Sequence, residues 1–153
     1  MFKRGYGLIA ALLLLITTSI ATTVNPVRAN AAPVAFQQSL KGTMAAGTEG
    51  LNLTFTVPAG KQLVIEYVAG NCFVPSGQAC VLSIFTQVGA SAIQFNVETN
   101  NVGPFGGGND LWRAGQVVRL YANSGTIVTL RADRNSPTGT ANVTFMSISG
   151  YLH

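Results

Sequence analysis

Asn109, Asp110, Trp112 and Arg113 are the densest group of chemistry-bearing side chains in this sequence, four within five positions. They close the stretch NNVGPFGGGNDLWR, where a run of three glycines precedes the chain's single tryptophan. An indole face beside an amide, a carboxylate and a guanidinium suits sugar binding by a loop on a rigid β scaffold. The glycines also suggest a phosphate cradle. A cradle requires a strand before it, a helix after it and, in the P-loop form, a Gly-Lys-Ser/Thr ending. The lysine is missing and the next segment reads as a strand, so that chemistry is excluded. Calcium is poorly served, because Asn100, Asn101, Asn109 and Asp110 supply one carboxylate between them. A structural account competes with the sugar site. In it Trp112 plugs one end of the domain, Asn109-Asp110 turns the chain and the glycines take φ > 0.

Catalytic constellations are hard to assemble from what remains. The one histidine, His153, is the last residue, whereas Ser-His-Asp and Cys-His mechanisms need a base held rigidly beside the nucleophile. Histidine-based zinc sites fail for the same reason. Glu66, Glu98, Asp110 and Asp133 show no spacing that points to a pair of carboxylates across a cleft. The expectation is a non-enzymatic protein with no cofactor and no metal. Cys72 and Cys80 flank a Pro-Ser-Gly turn, which in an oxidising compartment predicts a local disulfide. A redox or metal pair would require C-x-x-C spacing or histidine partners.

The first residues point to that compartment. Lys3 and Arg4 precede an apolar run from Leu8 to Ile16, followed by small and polar residues and an A-x-A site at Ala29-Asn30-Ala31. This order predicts a secretory signal peptide over residues 1–31 and one mature domain over residues 32–153. The run is short for a membrane span of about 20 residues. The mature chain keeps six basic and five acidic residues, a net charge of +1. No basic cluster remains for nucleic acid. The expected location is secreted or periplasmic, without membrane attachment after cleavage.

The elements that must position these residues are strands. LNLTFTV alternates Leu51, Leu53, Phe55 and Val57 with polar residues, ends at the turn VPAGK, and is followed by QLVIEYVA. These two predict an antiparallel pair, with Leu63, Ile65 and Tyr67 sharing one face of the second. VLSIFTQV and AIQFNVE predict a second hairpin about Gly89-Ala90-Ser91. QVVRLYA and TIVTLRA predict a third about Asn123-Ser124-Gly125, with Leu120 facing Val128. That register puts Arg119, Tyr121 and Arg131 on one outer stripe, a candidate interaction face or an ordinary solvated one. The closing ANVTFMSISGYL loses its alternation between Phe145 and Met146, which predicts a β-bulge. With VAFQQSL, eight strands are predicted, giving an all-β antiparallel sandwich of jelly-roll form. Two N-x-S/T sequons, at Asn52 and Asn142, fall inside predicted strands.

FTVPAGKQLVIEYV, VRLYANSGTIVTL and SISGYL together resemble a group of small secreted bacterial proteins, across most of the mature chain. The chain is more loosely similar to the trimeric complement-like and tumour-necrosis-like jelly rolls. The resemblance implies a β-sandwich and carries no activity. The functional expectation is a secreted, non-enzymatic binding module for carbohydrate or another surface ligand, acting through Asn109, Asp110, Trp112 and Arg113. The alternative is a structural protein that self-associates as a homo-oligomer or binds a protein partner through its sheet face.

Overall fold

The computed structural model describes residues 32–153. The predicted signal peptide lies outside the described residues. Nine antiparallel strands form two sheets: β1 Val34–Met44, β2 Gly50–Thr56, β3 Leu63–Pro75, β4 Cys80–Val88, β5 Ser91–Val97, β6 Thr99–Pro104, β7 Asn109–Ala122, β8 Ile127–Arg134 and β9 Ala141–Leu152. One sheet has the order β1-β9-β3-β7-β6 and the other β2-β8-β4-β5. With β6 set aside, the other eight strands follow the jelly-roll winding, in which the chain passes repeatedly from one sheet to the other.

The alternation read from sequence sets the core. Leu82 and Ile84 of β4 and Val128 and Leu130 of β8 face Val68, Cys72, Met146 and Ile148 of the opposite sheet, all fully buried. Phe36 of β1 and Phe55 of β2 meet across one open side, ring centroids 5.7 Å apart. Arg134, 4% exposed, ends β8 with its guanidinium donating to the carbonyls of Ala45, Thr48, Pro137 and Thr138. It fastens the two connections that precede β2 and β9.

The local turns form as expected, but two of the predicted hairpins do not. Lys61 N donates to Pro58 O at 3.2 Å, closing the VPAGK turn. Beyond it, however, Val57 hydrogen-bonds to Thr126 and Gly125, while Gln62 bonds reciprocally to His153. The turn carries the chain between sheets, so β2 pairs with β8, and β3 with β7 and β9. Asn123 to Thr126 is likewise a turn, with Thr126 N donating to Asn123 O, yet β7 and β8 lie in opposite sheets. Leu120 and Val128 therefore both point inward from facing layers instead of sitting side by side. The β4–β5 hairpin is as predicted.

Three further differences concern strands. The register of β3 shifts between Ile65 and Tyr67 against both neighbours, which puts Val68 in the core and leaves Tyr67 43% exposed. The bulge in β9 falls at Thr144–Phe145, which together oppose Lys41 of β1. The ninth strand, β6, comes from TNNVGP, an edge segment whose Val102 is exposed, so no alternation announces it.

Candidate functional site

Contrary to the loop expected, β7 begins at Asn109, and the four candidate site residues are strand residues. Successive side chains of a strand leave on opposite faces. The structure accordingly does not gather the four into one site. Trp112 turns inward, packs against the core and donates its indole N–H to the Gln78 carbonyl at 3.0 Å. Asp110 is buried and accepts from the Gly77 amide at 2.9 Å and from the Ser76 hydroxyl at 3.2 Å. Both hold the segment between β3 and β4. Arg113 emerges on the outer face of the five-stranded sheet, opposite Asn71 and Asn100. Asn109 alone borders a cavity.

Gly106, Gly107 and Gly108 all have positive φ, 79°, 60° and 73°. That run of left-handed backbone is open to glycine and strained for other residues. It closes the β6–β7 hairpin, Phe105 N donating to Asn109 O at 2.9 Å. Phe105 is held up at its base, 60% exposed, with its ring centroid 4.8 Å from that of Phe73 on β3.

These two rings wall one side of a groove of about 630 Å3 at one end of the five-stranded sheet, within the range of about 300–1,000 Å3 typical of small-molecule sites. Lys41 and Thr43 of β1, Asn142 and Thr144 of β9, and Asn109 line the rest. Lys41 and Thr144 stand at the β1–β9 bulge, where the extra residue re-aims side chains that regular pairing would space evenly. The Thr43 hydroxyl donates to Asn142 Oδ1 at 2.9 Å, fixing the amide and leaving its NH2 to donate elsewhere. The lining thus combines an apolar aromatic wall with amides and hydroxyls, and no carboxylate is among the lining residues.

The expected outer stripe is divided. Arg119 and Tyr121 share the outer face of β7, the Arg119 Nε donating to the Tyr121 hydroxyl at 2.9 Å. This hydrogen bond, with the charge interaction with Tyr121, raises the Arg119 pKa. Arg131 belongs to the other sheet and forms a two-pronged ion pair with Asp133, two residues along β8. Hydrogen bonding and attraction from Asp133 raise its pKa. Gly50 on the adjacent strand leaves room for that pair, since a Cβ there would lie 2.8 Å from Asp133 Oδ1.

Cys72 and Cys80 form the predicted disulfide, buried at the junction of the two sheets with Cα atoms 6.4 Å apart. His153 is exposed, its Nε2 3.0 Å from Gln62 Oε1. Sequence reasoning missed the rest of the groove: Lys41, Thr43, Asn142 and Thr144 from the two end strands, and the aromatic pair Phe73 and Phe105. A signal existed for Phe105: a large apolar side chain among glycines has no alternating pattern to bury it. Phe73 carried none, since it continues a strand whose length was underestimated. Comparisons with family models, curated proteins and solved structures find no match for the chain.

Proposed function

We propose that the chain is a secreted, non-enzymatic binding module that takes a saccharide in the groove between Phe105, Asn142 and Lys41. The observation that carries this reading is the exposed Phe105 ring, packed on the half-buried Phe73 beside the amides and hydroxyls of the groove. Sugar rings present C–H faces that stack on aromatic rings and hydroxyls that need directed donors and acceptors, and the lining offers both. Secretion is supported by the basic-then-apolar leader and by a buried disulfide, which suits an oxidising compartment. Of the original four candidates only Asn109 remains in the proposed site. Asp110 and Trp112 act as its scaffold.

The test is a glycan array followed by calorimetry on the mature protein and on Phe105→Ala. Binding that falls about tenfold in the variant, with little change in stability, is expected. An array without a single binder removes the proposal. A second reading, self-association, has its own observation. Val117 is 80% exposed on the outer face of the five-stranded sheet, paired with the exposed Tyr67. Apolar side chains so placed suit a subunit contact. Sedimentation that gives only monomer at high protein concentration would exclude it.

A further inference from the structure

The groove carries one charge. Lys41 is the single ionisable side chain among its lining residues, and its other polar groups, Thr43, Asn109, Asn142 and Thr144, are neutral. The carboxylate closest in sequence to the β6–β7 loop, Asp110, is committed to Ser76 and Gly77. The Lys41 ammonium therefore has no protein counter-ion in the groove, and no ion pair to Lys41 is found among the described residues. It stands where the bulge in β9 sets Thr144 and Phe145 against a single residue of β1. A bulge placed this way aims a side chain at a specific point of the surface.

We infer that the groove selects an acidic saccharide, a uronate-bearing oligosaccharide whose carboxylate meets Lys41 while a ring face lies on Phe105. The inference rests on the saccharide reading proposed above. A neutral sugar would displace water from the ammonium and return no charge to it, whereas a carboxylate restores a charge-assisted hydrogen bond. Attraction to the single positive charge also favours encounter with anionic chains at low salt.

Trigalacturonic acid and its methyl ester form a matched pair of probes, the same sugar with and without charge. Titrated into the mature protein at low salt, the acid should bind about fivefold more tightly than the ester, the scale of an exposed ion pair. High salt and Lys41→Met should each erase that preference, and Lys41→Arg should retain it. Unchanged thermal unfolding of Lys41→Met would confirm that the fold is intact. Equal binding of acid and ester, or an acid preference that survives Lys41→Met, overturns the acidic inference. If Phe105→Ala then weakens both probes alike, the saccharide reading stands without it. If neither probe binds, the acidic inference falls, and if the array is also blank the saccharide reading falls with it.

Discussion

Asp110 shows how a residue chosen for its chemistry can serve structure instead. Its carboxylate takes the Gly77 amide and the Ser76 hydroxyl in a part-buried setting. Asp110→Ala should therefore cost about 1–2 kcal/mol in urea unfolding, since it removes two part-buried hydrogen bonds to a carboxylate. The variant should bind ligand as the wild type does once folded. Trp112 gives a complementary expectation. Its indole lies on the core side of β7 and is bonded to Gln78, so saturating sugar should leave its fluorescence unchanged while Phe105→Ala weakens binding about tenfold. A spectral shift on binding would mean that the groove is not the site. Residue types drew attention to the stretch that holds Asn109 and Phe105, both of which line the groove. They could not say which side chains share a face, since that depends on where β7 starts.

At the scale of elements, the glycines were legible as turns but not as contacts. Gly150 has no positive φ; its place is set by a close approach, where a Cβ would overlap the Val64 carbonyl oxygen on the neighbouring strand. Gly150→Ala should destabilise by more than about 3 kcal/mol, because backbone cannot yield as a side chain does. Expression and urea unfolding would check this, and a stable variant would contradict the pairing of β3 with β9. The turns at Pro58 and Asn123 teach the same lesson. Each makes its i to i+3 hydrogen bond, and nothing local says whether the outgoing strand stays in the sheet. The predicted bulge in β9 was visible because it breaks alternation in the strand itself. The bulge in β3 sits among LVIEYV, where apolar residues fall on both faces and hide the slip.

For the whole molecule, two sheets are tied by a core of moderate depth and one disulfide. Replacing both Cys72 and Cys80 with alanine should lower stability by about 2.5 kcal/mol on the chain-entropy account of so short a loop. Urea unfolding of the mature double variant measures it. The groove lies at the same end of the sandwich, with Phe73 next to Cys72 on β3, so ligand binding should also be weaker in that variant if the end loosens. The fold positions this groove by bringing β1, β3 and β9 together from the two ends of the chain.

The sequence by itself determined the fold class, the core faces of most strands and the cysteine pairing. Those follow from side-chain alternation and from short spacing, both local properties of a chain with a strong hydrophobic drive. The tertiary structure decided the rest. It alone paired β2 with β8 across a crossover, divided Arg119 from Arg131, and set Lys41, Phe73, Phe105 and Asn142 around one groove. In a jelly roll nearly every strand pair joins segments far apart in sequence, so sites between strands are written in register and bulges, which no single segment contains.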